Sequence, residues 1–240
     1  MLALGKLNSY YLRMFDFEKD AGSIKGFLAP SEGRFLYETA RGVSREECIV
    51  EIGSFKGRST ICIGKGVSDG HGAKIYAVDP HSVSSEEYVR YYGEEDTYDE
   101  FLENLQRAGV SSLVTPVKET SLDAAAVFFG EPIGLLFIDA LHELTAVTQD
   151  FEAWFPKLKE GGIVAFHDAT FFDGPRVLTA KILLKSKMVK NPKMVGVTTV
   201  FEKTAHNSFG DRIKNIAFLF YRKLWGWWGV WEFKRHGFVF

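Results

Sequence analysis

The sequence predicts an α/β fold in which helices cover both faces of a mostly parallel sheet of seven strands. The main observation is that short apolar runs rich in β-branched residues alternate with helical patterns, as in parallel sheets. A length of 240 residues suits one such domain with an appendage, since single cores commonly grow to this size. A content of 46% hydrophobic and 25% charged residues is that of an ordinary globular protein.

Five βα units are expected to follow one another along the chain. The predicted strands cover residues 48–52, 74–78, 113–117, 134–138 and 162–166. Helices are predicted at 58–66, 98–108, 121–128 and 144–158, and the KEGG run at 159–162 predicts a glycine turn that ends the last of them. A further helix at 175–185 precedes two closing strands, 194–197 and 199–202, which suit an antiparallel pair.

Charge and cysteine content limit the partners and the compartment. The net charge of -2 gives no electrostatic case for nucleic acid. Cys48 and Cys62 lie beside or inside apolar runs and predict buried free thiols, which suit a reducing compartment. The N-terminus lacks the layout of a signal peptide because residues 1–10 contain a single lysine and no long apolar run. We therefore expect a cytoplasmic protein.

The two ends of the chain differ in character from its middle. Residues 1–32 read as an N-terminal cap segment, 33–204 as the central domain and 205–240 as an aromatic and basic extension. That extension holds four of the five tryptophans, and its composition suits a contact in a homo-oligomer, a lid over a substrate or a membrane-surface contact. The apolar run at 216–221 is too short to span a bilayer, for which ~20 residues are needed.

The most informative run is IVEIGSFKGRST at residues 49–60, a strand that turns through Gly53 and Gly57 into a helix. Glycines allow close backbone approach, and a helix start presents N–H groups to a polar cofactor, near Ser54 and Ser59 here. The G-x-x-x-G spacing is not the G-x-G-x-x-G of dinucleotide-binding proteins. Glu51 suits a ligand with a positive amino or sulfonium group. A purely structural strand-to-helix turn is the alternative.

Two later strand ends add candidate cofactor residues. Asp79 follows the second strand about 20 residues after the glycine turn, where a carboxylate can accept hydrogen bonds from ribose hydroxyls. Asp79 could instead cap the segment that begins at His81. After the third strand, Ser121 is a candidate helix N-cap and a candidate donor to the edge of an adenine.

The fourth and fifth strands end in acidic and imidazole side chains. Asp139 and His142 follow one strand, and His167 and Asp168 follow the next. Asp139, Asp168 and His167 are candidate ligands for Mg²⁺ or another divalent cation. Without a metal, His142 or His167 is the candidate general base. The alternative is that these are polar residues at solvated strand ends.

Taken together, VEIGSFKGRST, AVDP, FIDALHE and the run WFPKLKEGGIVAFHD resemble the class I S-adenosylmethionine-dependent methyltransferases, and most of all the family 24 branch of small-molecule O-methyltransferases. The resemblance covers residues 33–203 and implies a Rossmann-like fold. By this resemblance the cofactor-binding loop comprises Glu51, Gly53, Ser54 and Gly57. Asp79 would bind the ribose, Ser121 would lie on the adenine side, and Asp139 would lie near the methyl donor or the metal. His167, Ala140 and Leu141 depart from the usual metal-binding pattern of the branch.

This resemblance implies transfer of a methyl group from S-adenosylmethionine to an oxygen of a small molecule, with catalysis mostly by positioning. A sugar hydroxyl is the first choice of acceptor, and a phenol or catechol is the second. Two other functions stay open. One is a nicotinamide-dependent oxidoreductase, and the other is a non-catalytic partner protein that keeps the fold and docks through its tryptophan-rich tail.

Overall fold

The computed structural model describes residues 15–82, 96–236 and 238–239. Nine strands occur in this part of the chain: β1 (Gly26–Phe27), β2 (Cys48–Ile52), β3 (Lys74–Val78), β4 (Val114–Val117), β5 (Ile133–Ile138), β6 (Leu158–Phe166), β7 (Val189–Val195), β8 (Thr198–Lys203) and β9 (Phe238–Val239). The helices are α1 (Phe17–Asp20), α2 (Pro30–Arg41), α3 (Arg58–Asp69), α4 (Tyr98–Ala108), α5 (Ser121–Val127), α6 (Leu144–Trp154), α7 (Asp173–Lys185) and α8 (Phe209–His236).

Seven strands form one sheet in the order β4-β3-β2-β5-β6-β8-β7. The first five are parallel, and β8 runs antiparallel to both β6 and β7. The chain lays down β2, β3 and β4 toward one edge and then returns to place β5 and β6 on the other side of β2. The order therefore reverses between β2 and β5, where open α/β sheets bind ligands. The predicted fold class is confirmed.

Both faces of the sheet are buried under helices, as its sequence pattern requires. In β2 every residue is buried, and alternate side chains serve opposite faces. Ile49 packs in the core beneath α2, α3 and α4, whereas Val50 packs in the core beneath α6 and α7. Cys48 and Cys62 are free and buried, as predicted.

Most element predictions are confirmed within a few residues, and β2 and β3 match their predicted bounds to the residue. The prediction that a helix runs to 158 and ends in the KEGG turn is wrong. α6 ends at Trp154, and a 3₁₀ turn over Phe155–Lys157 follows because Pro156 cannot continue an α-helix. β6 begins at Leu158 and runs through Gly161 (φ 76°), so the glycines make an irregularity in its pairing with β5.

The N-terminal segment is tied to the central domain. α2 begins at Pro30, so the proposed boundary between residues 32 and 33 falls inside this helix. α2 packs against α3, and the guanidinium of Arg58 at the start of α3 donates to the backbone oxygen of Gly26 (2.7 Å). β1 pairs with β9, which brings the two ends of the described chain together.

The described part of the C-terminal extension is mostly one long helix, followed by the short strand β9. α8 contains 28 residues and packs on β7 and α7. None of the helices within the described ranges combines the length and the apolar character that a bilayer-spanning segment requires.

Candidate functional site

A cavity of about 350 Å³ opens at the carboxyl ends of β2, β3 and β5. This volume lies within the ordinary range of small-molecule sites. The cavity walls come from the loops after four strands and from α6. They comprise Ile52, Gly53, Phe55, Val78, Asp79, Pro80, His81, Ser82, Thr97, Thr120, Ser121, Leu122, Ala140, Leu141, Ala146, Gln149 and Asp150. Gly53, Asp79 and Ser121 are therefore the predicted cofactor residues that line it.

The two glycines of the loop after β2 have different structural jobs. Gly53 has a φ of 86°, and a Cβ there would lie 2.0 Å from the backbone oxygen of Asp139. Only glycine allows the ends of β2 and β5 to approach this closely. Gly57 has a φ of 91° and is the N-cap of α3. Together the glycines turn the chain from the strand into the helix beside the cavity.

Asp79 holds the glycine loop in place. Its carboxylate accepts hydrogen bonds from the backbone N–H groups of Ser54 (2.8 Å) and Phe55 (2.7 Å), and its second oxygen accepts from the N–H of His81 (2.7 Å). Asp79 thus bonds the first residue of the segment that it could cap, most of which lies outside the described residues. Because a carboxylate has about four acceptor positions, one remains for a ligand hydroxyl, and the ribose role of Asp79 stays a prediction.

Glu51 and the hydroxyls of the loop lie behind the cavity wall rather than on it. The side chain of Glu51 is completely buried, and the Thr60 hydroxyl donates to it (2.5 Å). Burial raises the pKa of Glu51 to about 7, although the hydroxyls of Ser59, Thr60 and Ser54 act in the opposite direction. Glu51 therefore titrates near neutral pH, directly beneath the glycine loop.

The adenine-side position also differs in detail from expectation. Thr120, not Ser121, is the N-cap of α5, because its hydroxyl accepts from the N–H of Asp123 (3.2 Å). The hydroxyl of Ser121 accepts from the indole N–H of Trp154 (3.0 Å) and lines the cavity. Burial raises the pKa of the neighbouring Asp150, in spite of its hydrogen bond with Ser121.

Two titratable residues of the cavity, His81 and Asp150, were not predicted from the sequence. The Nδ1 atom of His81 lies 3.0 Å from the Thr97 hydroxyl, and its ring packs against Tyr98 and Phe101. Burial lowers the pKa of His81, which favours the neutral imidazole. Its position directly after Asp79 and Pro80 was the available signal. For Asp150 the signal was its spacing of four residues from Ala146 on α6, which puts both on one helix face.

A cluster of acidic and imidazole side chains borders the cavity where β5 and β6 end. Nδ1 of His167 lies 3.0 Å from Asp139 and 3.2 Å from Asp168, and its Nε2 lies 3.3 Å from Glu32. Nε2 of His142 lies 3.2 Å from Asp168. The structure therefore brings together all four residues that the sequence predicted for catalysis and metal binding.

The two histidines of this cluster have different environments. His167 is completely enclosed, and burial alone would lower its pKa, but the carboxylates of Asp139, Asp168 and Glu32 raise that pKa well above the ordinary value. An imidazole that stays protonated at neutral pH cannot accept another proton. His142 is partly exposed, and its ring stacks on that of Phe172 (4.0 Å). His142 is thus the more accessible of the two imidazoles.

Asp139, His142 and Asp168 form a group that could hold a metal ion, since each offers one ligand atom and these atoms lie within 4.8 Å of one another. His142 takes the place that sequence analysis gave to His167, which is buried between carboxylates. Oδ1 of Asp168 is buried and has no hydrogen-bond partner among the described residues. Although burial alone would raise the pKa of Asp168, the two histidine rings hold it below the ordinary value, so the carboxylate is ionised.

Glu32 is the residue of this cluster that no sequence signal indicated. Its carboxylate accepts from the N–H groups of Ala29 (2.9 Å) and Val197 (3.0 Å) and from the Thr198 hydroxyl (2.7 Å), besides facing His167. It thereby joins α2, the start of β8 and the candidate metal group. Its partners lie up to 166 residues away in sequence, so no local pattern could reveal it.

Comparison with known proteins agrees with this geometry. Residues 50–169 match the family model described as a methyltransferase domain. Protein y4gI of Sinorhizobium fredii is 33% identical over 125 residues, which cover 52% of this chain but only 13% of that protein. Two solved structures share the fold. The O-methyltransferase NovP has a TM-score of 0.62 at 13% identity, covering 72% of this chain and 78% of its own.

The second is the O-methyltransferase TomG from Streptomyces achromogenes, involved in tomaymycin synthesis and solved in complex with S-adenosylmethionine. It has a TM-score of 0.54 at 21% identity and covers 74% of this chain and 82% of its own. The family model spans half of the present chain, including the glycine loop, Asp79 and the ends of β5 and β6. The chain therefore belongs to the class I S-adenosylmethionine-dependent methyltransferases.

Proposed function

We propose that this protein transfers the methyl group of S-adenosylmethionine to an oxygen of a small-molecule acceptor. One observation carries the proposal: a small-molecule cavity and an acid-imidazole cluster meet at the end of β5, where Ala140 lines the cavity and Asp139 belongs to the cluster. The first feature suits a nucleoside cofactor, and the second suits an acceptor hydroxyl that must lose a proton. The O-methyltransferases among the structural neighbours support the choice of oxygen.

The cavity residues fit an adenosyl group. We assign the adenine side to Ser121 and Leu122, the ribose hydroxyls to the free acceptor position of Asp79, and the amino-acid end to the loop at Gly53 and Ser54. When bound, S-adenosylmethionine supplies a methyl group activated by a sulfonium centre. The buried carboxyl of Glu51, with Ser59 beside it, offers negative charge beneath that loop.

The residues of the cluster fit a divalent cation held by Asp139, His142 and Asp168. Two carboxylates and one imidazole suit Mg²⁺, Mn²⁺ or a related ion. Asp139, Asp168 and Glu32 carry three negative charges against one on the His167 imidazolium, so a divalent ion balances the site. When bound, such an ion lowers the pKa of a coordinated hydroxyl. His167 orients both carboxylates, and His142 is the proton acceptor if no metal is used.

The groups around this cluster indicate the chemical class of the methyl acceptor. A sugar hydroxyl remains our first choice and a phenol or catechol our second. His142 and its stacked neighbour Phe172 present an aromatic wall next to the candidate metal ligands. Such a wall accommodates a sugar face or a phenol ring.

Calorimetric titration with S-adenosylmethionine, S-adenosylhomocysteine and NAD tests the proposal. Wild-type protein should bind the first two with micromolar affinity. Ala146→Phe should abolish this binding by filling the cavity, because Ala146 lines it without holding the glycine loop. Asp99→Ala, an exposed change on α4, is the control and should bind normally. Binding of NAD alone would favour the oxidoreductase, and cofactor binding without turnover of any sugar or phenol acceptor would favour the non-catalytic partner.

A further inference from the structure

Helix α8 exposes an apolar stripe along the side that faces away from the protein. Phe209, Ile213, Ile216, Phe220 and Leu224 recur every three or four residues, which places them on one face of the helix. Phe209 is 80% exposed, Phe220 67% and Leu224 73%. At 1.5 Å per residue the stripe is about 22 Å long. An apolar surface of this length on a protein exterior indicates a partner.

The opposite face of α8 explains why the stripe cannot turn inward. Asn215, Phe218 and Arg222 are buried, and they follow one another at helical spacing. The amide of Asn215 donates to the backbone oxygen of Val189 (3.1 Å). The guanidinium of Arg222 donates to the hydroxyl of Thr179 (2.6 Å) and to other groups of α7 and β8. These contacts fix the rotation of the helix, so the stripe stays exposed.

Basic side chains lie on both sides of the stripe. On a helix of 3.6 residues per turn, Arg212 and Lys223 lie directly along one side of it and Lys214 lies further round on the other side, and all three are exposed. The sequence of α8 contains six basic residues and two acidic ones, in a chain with a net charge of -2. Positive charge is therefore concentrated on this helix.

Exposed apolar and basic side chains also occur at the neighbouring end of α7. Leu184 is 49% exposed and Met188 42% exposed, and Lys185 and Lys187 are exposed beside them. The N–H of Asn207, just before α8, donates to the backbone oxygen of Lys187 (2.6 Å), so this apolar and basic group lies at the start of the stripe. Two elements thus contribute to one surface.

We propose that this surface, the α8 stripe with its basic borders and the end of α7, docks on an anionic membrane surface. A helix with large apolar side chains on one face and lysine and arginine beside them lies in the plane of the lipid headgroups. Its positive charges are complementary to anionic lipids. Tyr221, an exposed aromatic residue on the Lys214 side of the stripe, is of the type that settles at the headgroup level.

Charge argues against a second copy of the chain as the occupant. If two stripes packed on each other in a parallel arrangement, the Arg212 side of one helix would face the Lys214 side of the other. In an antiparallel arrangement, each basic border would face its own equivalent. Both arrangements place basic side chains of the two copies on the same side of the contact, and like charges are unfavourable at positions that flank a helix pair.

Co-sedimentation with sucrose-loaded vesicles tests the proposal. We expect the full chain to bind phosphatidylcholine vesicles that contain a third of phosphatidylglycerol, and to bind pure phosphatidylcholine vesicles at least about tenfold more weakly. Phe220→Ser combined with Leu224→Ser should lower binding to the anionic vesicles by more than about tenfold. Arg212→Glu combined with Lys223→Glu should remove the preference for phosphatidylglycerol.

Phe129→Ser is the matched control, since Phe129 is a 93% exposed aromatic residue in the loop between α5 and β5 and should not affect vesicle binding. Thermal unfolding and circular dichroism show whether each variant is folded. The proposal is overturned if the wild type does not bind anionic vesicles, or if the serine variant binds them as well as the wild type does. It is also overturned if sedimentation velocity shows a dimer that the serine substitutions dissociate.

Discussion

The buried carboxyl of Glu51 makes a quantitative prediction about how stability depends on pH. Its pKa is raised from 4.5 to about 7 in the folded protein. Because the raised value belongs to the folded state, the folded protein binds the extra proton between these two pH values. The stabilisation is complete below the ordinary pKa and is lost as the pH rises through 7. At roughly 1.4 kcal/mol per pKa unit, about 3 kcal/mol is lost by pH 8.

Glu51→Gln should remove this dependence. The amide does not titrate, has nearly the shape of the carboxyl, and can still accept from the Thr60 hydroxyl. The variant should match the wild type near pH 4 and exceed its free energy of unfolding by up to about 3 kcal/mol at pH 8. Urea denaturation of the cofactor-free protein at several pH values measures this difference directly.

A control isolates the effect of burial. Glu38→Gln makes the same chemical change at an exposed position of α2 and serves as the control for the substitution itself. Other titrating groups contribute equally to the wild type and to either variant, so they cancel in the comparison. A constant difference between Glu51→Gln and the wild type from pH 5 to 8 would refute the reasoning.

Three further predictions concern the loop, the acidic cluster and the metal. Gly53→Ala should lower the free energy of unfolding by about 3 kcal/mol or more in urea denaturation, because the added Cβ meets a backbone oxygen. The control is Gly72→Ala, where φ is also positive (75°) but the Cβ enters open space, and it should lower the free energy of unfolding by only about 1 kcal/mol. Glu32→Gln should destabilise the protein by about 2 kcal/mol in thermal unfolding, since it removes a buried charge from several hydrogen bonds, and a loss no larger than that of Glu38→Gln would contradict this. EDTA should reduce turnover at least about tenfold and leave the affinity for the cofactor within about twofold, and Mg²⁺ should restore the turnover. Asp168→Asn should have the same effects on turnover and affinity as EDTA. If EDTA does not change turnover, the reaction uses no metal.

What the sequence could predict depended on the range of the interactions involved. β2 and β3 were predictable because a parallel strand covered on both faces is a nearly continuous run of apolar residues, interrupted here only by Glu51 in β2 and by the exposed Lys74 at the start of β3. Asp79, Asp139 and Asp168 were predictable because each lies within two residues of the end of such a strand, and parallel strands bring their carboxyl ends to one edge. Glu32 was not, because its role arises from His167, directly after β6, and Thr198, in β8, which only the folded chain brings near it.

Other differences arose where one local signal fits two structures. Glycines 161 and 162 can end a helix or make an irregularity within a strand, and the choice depended on pairing with β5. The candidate metal ligands also differ from the prediction, with His142 in the place expected for His167, because one local signal again fits both residues. Both histidines follow a strand, and only the surrounding carboxylates show that His167 is enclosed as an imidazolium whereas His142 faces the open side of the cluster.

The two carboxyls that flank the glycine loop illustrate how the site combines order with reactivity. The carboxylate of Asp79 accepts hydrogen bonds from three backbone N–H groups. These hydrogen bonds fix the loop before a ligand binds. Glu51 lies beneath the same loop with only hydroxyls around its carboxyl, and its ionisation is unfavourable in the free protein. A positively charged ligand group above the loop would offset that cost. We therefore expect the loss of stability caused by ionised Glu51 at pH 8 to be smaller when S-adenosylmethionine is bound. Such behaviour indicates a buried carboxyl that serves ligand binding and not the stability of the fold.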